Sequence, residues 1–141
     1  MSDDCIFCQI VSGGAPASFV YQDDASVVFM DIQPITRGHM LVVPRTHFVL
    51  LKDVDEVTAA RAFEVAHKLA KVVPGALGAG GLNLFVADGA VAFQDVPHFH
   101  IHLIPRYEGD GFSLTFPPSY STPPAREELE ALAATLRFAA S

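Results

Sequence analysis

Three histidines alternate with apolar residues in one short segment of the chain, His98-Phe99-His100-Ile101-His102-Leu103-Ile104. Successive side chains of a β-strand point to opposite faces. A strand here would therefore place the three imidazoles on one face and the apolar side chains on the other. Imidazole acts as nucleophile, acid, base or metal ligand near neutral pH. This segment is the first candidate for a chemical site.

Three interpretations of the histidine segment are open. Histidines on the polar face of a strand are often solvent-facing, but three consecutive same-face positions make that explanation unfavourable. A metal site of the cupin kind needs a further histidine from a later strand. No histidine follows His102, and Glu108 is one residue too far for the usual acidic ligand. In the third interpretation a histidine nitrogen attacks phosphorus while its neighbours orient it, neutralise phosphate oxygens and move a proton.

A second candidate is the cysteine pair Cys5 and Cys8. This spacing alone fits a redox pair, half of a zinc site or chance. Tetrahedral zinc takes four sulfur or nitrogen ligands, commonly two cysteines and two histidines. His47 and His98 are the available partners.

The composition and net charge of the chain favour some classes of protein and argue against others. The chain has 141 residues, of which 50% are hydrophobic and 18% charged, so we expect one globular domain spanning 1–141 with a real core. The net charge of −7 argues against nucleic acid or an anionic membrane as partner. The first residues, Met1–Asp4, lack a basic signal-peptide start, and no apolar run approaches the length of a membrane span. We therefore expect a cytoplasmic location.

The elements that must position these residues follow from periodicity and turn signals. We predict a short N-terminal helix ended by Gly13-Gly14, strands that alternate with turns, and one long helix opened by a capping box at Asp53 and Glu56. The apolar stripe expected on that helix includes Val57 and Phe63. A Pro-rich stretch precedes a C-terminal helix, and we expect the remaining strands at the following ranges: 19–22, 26–32, 39–43, 82–87 and 98–105. The fold class expected is α+β, an antiparallel β-sheet of about five strands with these three helices.

The histidine segment and several flanking motifs together resemble the histidine triad (HIT) superfamily of nucleotide hydrolases and transferases, in its Hint-like bacterial branch. The resemblance runs from about Cys5 to Arg106, which would leave 107–141 as a C-terminal extension. The motifs that carry it, besides the triad, are Asp4-Cys5-Ile6-Phe7-Cys8-Gln9-Ile10, Phe29-x-Asp31-Ile32-x-Pro34, Gly38-His39-x-Leu41-Val42-x-Pro44-x-x-His47 and Gln94-x-x-Pro97-His98.

The resemblance implies an enzyme that cleaves a purine nucleoside monophosphate from an amine, acyl or phosphate-linked group. It implies that His100 is the nucleophile, that His102 contacts phosphate, and that His98 and His39 complete the catalytic histidines. Asp31 falls where the family binds ribose hydroxyls, and Gln94 is in a motif beside the phosphate. The apolar positions that would enclose the base, which could equally be ordinary core, are Ile6, Phe7, Ile10, Phe29 and Leu41.

The resemblance also implies a cofactor and a partner. Zinc-containing members pair such cysteines with histidines at two positions, so Cys5, Cys8, His47 and His98 would hold a structural zinc ion. Family members form homodimers through the long helix and a sheet edge, and we expect the same here.

Two residues depart from the family pattern. Ala87 stands where an asparagine is expected near the phosphate, and Asp95 stands where serine or threonine is common. Either Asp95 faces away from the site, or the leaving-group side of the site is altered. Three functions therefore stay open: a nucleotide hydrolase, a nucleotide-binding or scaffold protein with little turnover, and a dinucleoside polyphosphate hydrolase.

Overall fold

The structure, a computed structural model, describes residues 4–140, so most of the N-terminal stretch used to argue against a signal peptide lies outside the described residues. Five strands form one antiparallel sheet in the order β1-β2-β3-β5-β4. The strands are β1 Phe19–Gln22, β2 Ser26–Met30, β3 Met40–Pro44, β4 Gly81–Phe85 and β5 Ile101–Arg106. The helices are α1 Ile6–Ser12, α2 Glu56–Leu77 and α3 Arg126–Ala140, with 3₁₀ turns at Leu51–Asp53, Ala90–Ala92 and Pro118–Ser121. The predicted α+β fold is confirmed.

The long helix α2 covers one face of the sheet. Its N-cap is Asp55, whose carboxylate accepts a hydrogen bond from the Thr58 backbone N–H at 3.0 Å, so the cap predicted at Asp53 is wrong by two residues. Apolar side chains of the helix pack on the inward-facing side chains of the strands, and this core contains Ala62, Val65, Ala66, Leu69, Val73, Val28, Met40, Val42, Phe99, Ile101 and Leu103. Val57 and Phe63, expected in the core stripe, are instead exposed.

The short helix α1 covers the opposite face. It ends where Gly13 adopts φ 85°, a left-handed conformation that favours glycine. Phe7, Cys8 and Ile10 are buried against a second apolar cluster of the sheet, which is formed by Val27, Phe29, Leu41 and Val43. The sheet therefore lies between two helices of unequal size, and the histidines share the side of the smaller one.

The histidine segment is only partly a strand. β5 begins at Ile101 and pairs with β3 and β4, whereas His98 and His100 precede it in irregular backbone. The segment before β5 instead bonds to a loop, because the Phe99 N–H donates to the Phe48 carbonyl at 2.6 Å. The predicted alternation is nevertheless confirmed, since Phe99, Ile101 and Leu103 all lie in the α2 core.

The chain after β5 ends in the helix α3, and none of the described residues of this helix is buried. Its exposed apolar side chains include Leu132 and Leu136. Within residues 4–140, no helix is long and apolar enough to cross a membrane.

Candidate active site

His102 is fixed by the register of the sheet. It lies opposite Leu41 on β3 and opposite Phe85 on β4, with its side chain on the α1 face. The His100 ring lies beside it, the two ring centroids being 4.7 Å apart. Burial lowers the pKa of His102 to about 4, so this imidazole stays neutral at cellular pH.

The tautomer of His100 follows from a single hydrogen bond. Its Nδ1 lies 2.7 Å from the backbone carbonyl oxygen of His98, and a carbonyl only accepts. Nδ1 therefore carries the proton and donates it, which leaves the lone pair on Nε2. Burial lowers the pKa of His100 below its ordinary value, and the edge-on ring of Phe7, 5.0 Å away between centroids, supports the imidazole. The result is a neutral, basic nitrogen on a fixed ring.

A second chain of hydrogen bonds orients His102. The backbone N–H of Ile35 donates to Nδ1 of His39 at 3.0 Å, so the proton of neutral His39 is on Nε2. This Nε2 lies 2.9 Å from Nδ1 of His102 and 3.5 Å from a carboxylate oxygen of Asp31. His102 therefore accepts at Nδ1 and carries its own proton on Nε2, while burial lowers the pKa of His39 and keeps its ring neutral.

These histidines border a cavity of about 400 Å³. His100 and His102 form one part of its wall, and apolar side chains from α1 and the sheet form another. All of the apolar residues predicted to enclose a base line the cavity, and so does Asp31; the apolar residues are Ile6, Phe7, Ile10, Phe29 and Leu41. The cavity is thus apolar on one side and imidazole-rich on the other.

Two parts of the chain differ from what the sequence indicated about the cavity lining. The segment Ala15–Ala17, which follows the Gly13-Gly14 turn, also lines the cavity and was not singled out from the sequence. Small residues directly after a helix-ending glycine pair were the available signal. Gln94 is not among the lining residues: its amide accepts from the Gly89 N–H at 2.8 Å and donates to the carbonyls of Val49 and Val96. Its contact with a nucleotide stays a prediction.

A separate cluster lies at the start of α1. The Sγ of Cys5 is 3.4 Å from Nδ1 of His98, and the Sγ of Cys8 is 3.6 Å from the same nitrogen. Nδ1 of His47 is 3.2 Å from the Cys8 sulfur and 3.3 Å from Nδ1 of His98. The four side chains predicted as ligands are therefore brought together, although they come from the N-terminus, the loop after β3 and the segment before β5.

The donor set of this cluster suits a tetrahedral metal ion. Zinc bonds of about 2.3 Å to sulfur and 2.0–2.1 Å to nitrogen imply sulfur–nitrogen and nitrogen–nitrogen edges of roughly 3.3–3.6 Å in a tetrahedron, close to the distances of 3.2–3.6 Å observed here. The His98 Nε2 lies 2.8 Å from the Pro44 carbonyl oxygen and donates to it, so Nδ1 presents a lone pair to the sulfurs. Burial raises the pKa of the Cys5 thiol and lowers that of His98. Four protein ligands leave no open position.

Comparison with known proteins agrees with this architecture. A HIT family protein of Bacillus anthracis has the same fold with a TM-score of 0.89 and 36% identity, over 99% of each chain. A zinc-bound histidine triad family protein of Mycobacterium smegmatis is 41% identical, with a TM-score of 0.75 over 96% of this chain and 97% of that one.

Sequence relatives give the same result. The Bacillus subtilis protein called hit is 38% identical over 79% of this chain and 77% of its own length. An adenylylsulfatase of Arabidopsis thaliana, HINT3, is 34% identical over 78% of this chain and 56% of its own, longer chain. The family model described as the HIT domain matches residues 12–109. On this evidence, together with the histidine geometry, the chain belongs to the HIT domain family.

Proposed function

We propose that the protein is a nucleotide hydrolase of the histidine triad type, which cleaves a purine nucleoside monophosphate from an amine, acyl or phosphate-linked group through a covalent nucleotidyl-histidine. The observation that carries this proposal is the hydrogen bond from Nδ1 of His100 to the His98 carbonyl. It leaves Nε2 unprotonated on a ring that borders the cavity, which is the state that a nucleophilic imidazole requires. His98 acts here as a positioning residue.

The chemistry divides into two displacements. The lone pair on Nε2 of His100 forms a bond to the α-phosphorus, and the bond from phosphorus to the leaving group breaks. The leaving atom keeps that electron pair and takes the Nε2 proton of His102, which is in its imidazolium form once the negative phosphate lies beside it, so that His102 is left as a neutral imidazole. Water then attacks phosphorus, breaks the phosphorus–nitrogen bond to His100 and returns a proton to His102. The products are the leaving group, a nucleoside monophosphate and the original protein.

The rest of the cavity fits the nucleoside. Apolar walls from α1 and β2–β3 match a flat purine, with Phe7 and Phe29 edge-on to each other at 5.3 Å between ring centroids. Asp31 lies at the same cavity beside His39, where its carboxylate would accept from both ribose hydroxyls. The family relative from Arabidopsis named as an adenylylsulfatase also supports a nucleotide substrate.

The test is the hydrolysis of an adenosine phosphoramidate by His100→Ala, with the exposed helix residue His67→Ala as a matched control. We expect His100→Ala to lose several orders of magnitude in kcat/KM while leaving the fold and nucleotide binding nearly intact. After an alkaline quench, the wild-type protein should carry the added mass of one nucleoside monophosphate less water, and His100→Ala should not. Turnover by His100→Ala within a few-fold of the wild type would reject the assignment.

A second candidate, a nucleotide-binding or scaffold protein with little turnover, is favoured by the buried Ala87 and by Asp95 at the cavity. The same experiment separates the two functions. Tight binding of adenosine monophosphate with neither adduct nor turnover in the wild type would establish the second candidate.

We also propose that Cys5, Cys8, His47 and His98 hold one structural zinc ion per chain. The fit of their donor atoms to tetrahedral edges and the zinc-bound mycobacterial relative support this. Zinc would supply no chemistry to the reaction: it would join α1 to the segment before β5 and so fix the position of the His98 carbonyl.

We propose further that the protein is a homodimer. Strand β4 pairs with β5 alone and has exposed Leu84 and Phe85, and on α2 the side chains of Val57 and Phe63 are 69% and 61% exposed. An open edge and exposed apolar groups favour pairing with a second copy. Light scattering should give roughly twice the 15.1 kDa of one chain, and Phe63→Asp should lower that mass. A mass of about 15 kDa for the wild type would contradict the proposal.

A further inference from the structure

The charged groups at the cavity are unusual for a protein that binds phosphate. Among the described residues that line it, the only acidic side chains are those of Asp31 and Asp95, and no lysine or arginine is present. The other titratable side chains of the lining are the imidazoles of His100 and His102. A substrate with several negative charges would therefore meet no fixed cation and two fixed anions.

The two carboxylates lie at different places. Asp31 lies beside His39 and accepts a hydrogen bond from the Gln33 N–H at 2.8 Å, so it belongs to the nucleoside side of the cavity. Asp95 is exposed, in the loop before the histidine segment, and one oxygen accepts from the N–H of Val96 at 2.9 Å. Burial lowers the pKa of His100 and of His102, and the negative charge of Asp95 partly opposes this. That effect is expected for a carboxylate near both rings.

The position of Asp95 indicates which part of a substrate it faces. The apolar wall is buried, since Phe7, Ile10 and Leu41 are each less than 10% exposed, and the nucleoside would fill it. The α-phosphorus must lie at His100 for the reaction to occur. The leaving group is then the part of the substrate that extends toward solvent, along the exposed rim where Asp95 lies.

We infer that Asp95 selects the leaving group by charge, so that the preferred substrates are nucleoside phosphoramidates whose leaving amine carries a further cationic group, and polyanionic leaving groups are disfavoured. This inference rests on the proposed function and deepens it. It sets the chain apart from dinucleoside polyphosphate hydrolysis, in which the leaving group is itself a polyanion. Between unit charges several ångströms apart at a partly solvated site, Coulomb interaction changes kcat/KM by about tenfold for each unit of leaving-group charge.

The test uses three adenosine phosphoramidates with the same phosphorus–nitrogen bond and the same two-carbon chain, which ends in an ammonium, a hydroxyl or a carboxylate group. Wild-type kcat/KM should fall by about tenfold at each step of that series. Asp95→Asn, which keeps the acceptor for the Val96 N–H, should reduce the ratio between the ammonium and carboxylate substrates at least tenfold. Asp95→Glu should retain the ratio, and so should Glu64→Gln, an equal change of net charge on the exposed surface of α2.

Ionic strength gives a second measurement that needs no variant. The wild-type ratio should shrink toward that of Asp95→Asn in 1 M salt, because the screening length falls to about 3 Å there. An unchanged ratio in Asp95→Asn, or a wild-type ratio near one at low salt, would overturn the inference while leaving the proposed function intact, provided that all three substrates are hydrolysed. Failure of the wild type to hydrolyse any of them would instead refute the proposed function, and this inference with it.

Discussion

Two neighbouring residues at the start of α1, Ile6 and Phe7, should differ in whether mutation affects nucleotide binding or stability. Ile6 and Phe7 both line the cavity, but Ile6 is 45% exposed and Phe7 only 6%. Phe7 also lies edge-on to three rings, with centroid distances of 5.3 Å to Phe29, 5.8 Å to His98 and 5.0 Å to His100. Truncation of Ile6 to alanine should therefore mainly weaken nucleotide binding, whereas truncation of Phe7 should mainly reduce the stability of the fold.

The magnitude for Ile6 follows from its exposure. Burying a whole isoleucine side chain is worth about 1.5–3 kcal/mol. A nucleotide that covers the exposed 45% gains about 0.7–1.4 kcal/mol from it, which is roughly a three- to tenfold change in Kd. The remaining 55% is already packed in the free protein, so Ile6→Ala should lower the free energy of unfolding by about 0.8–1.7 kcal/mol, offset in part because alanine is the better helix former at this first residue of α1.

The loss of stability expected for Phe7→Ala comes from lost packing in the core. Truncation of a buried phenylalanine costs about 3–5 kcal/mol. For a chain of 141 residues, with about 2.1 cal/mol/K of unfolding entropy per residue, this corresponds to a fall in Tm of about 10–17 °C. Phe7→Ala should also lower kcat, since the ring that supports His100 is lost.

The assay is calorimetric titration of adenosine monophosphate together with thermal unfolding of the wild type and both variants. We expect weaker binding with a fall in Tm of at most about 5 °C for Ile6→Ala, and a much larger fall in Tm for Phe7→Ala. A loss of more than about 5 °C in Ile6→Ala with unchanged Kd would refute the reasoning, because Ile6 would then be core. Unchanged Kd in both variants would show that the base does not lie on this wall.

Three further results are expected. Zinc should copurify at about one ion per chain, and Cys8→Ser should reduce both metal content and Tm but abolish neither fold nor all activity; unchanged Tm without metal would reduce the cysteines to a chance pair. The pKa of His102 is about 4 in the folded protein and about 6.5 in the unfolded chain. The free energy of unfolding should therefore fall by about 1–3 kcal/mol as the pH drops from 6.5 to 4. Urea titrations of His102→Gln should show a smaller fall over the same pH range. Gly38 has a φ of 90°, and a methyl group added there would press against the Leu77 side chain, so Gly38→Ala should lower the free energy of unfolding by about 2–4 kcal/mol in urea titrations. Gly75 lies in a helix with no atom near the added methyl group, so Gly75→Ala should be neutral or stabilising.

Local patterns predicted the two faces of β5 but not where the strand begins. Period-two alternation is a property of extended backbone, and it holds for His98 and His100 although neither lies in a strand. What ends the pairing is a long-range partner, since the N–H of Phe99 donates to the carbonyl of Phe48. Sequence alone does not show which extended segment finds a neighbouring strand and which finds a loop.

The helical stripe on α2 illustrates a different limit. Periodicity identifies an apolar face but not what covers it, so Val57 and Phe63 were expected in the core and are exposed. The cap moved to Asp55 because its carboxylate bonds both the backbone N–H and the hydroxyl of Thr58, at 3.0 Å and 2.7 Å. A capping pattern that fits at two nearby positions is resolved only by such contacts.

The candidate site was predictable mainly through family resemblance. Nothing in the local sequence around Cys5 or His47 shows that they meet His98, since that contact depends on the whole sheet. For Asp95 the sequence left two orientations open, and the structure places it at the cavity. The single-domain boundary at 1–141, the extension 107–141 and the cytoplasmic location stay predictions.

Helix α1 has seven residues, fewer than a helix needs to persist by itself in water. Cys8 belongs to the metal-type cluster and Phe7 and Ile10 to the cavity wall, so one short segment would serve both the proposed zinc ion and the proposed nucleotide. Binding of either ligand would hold the helix more firmly in place and so lower the entropic cost of binding the other. Metal and nucleotide should therefore bind cooperatively, and by reciprocity each must raise the affinity for the other by the same factor.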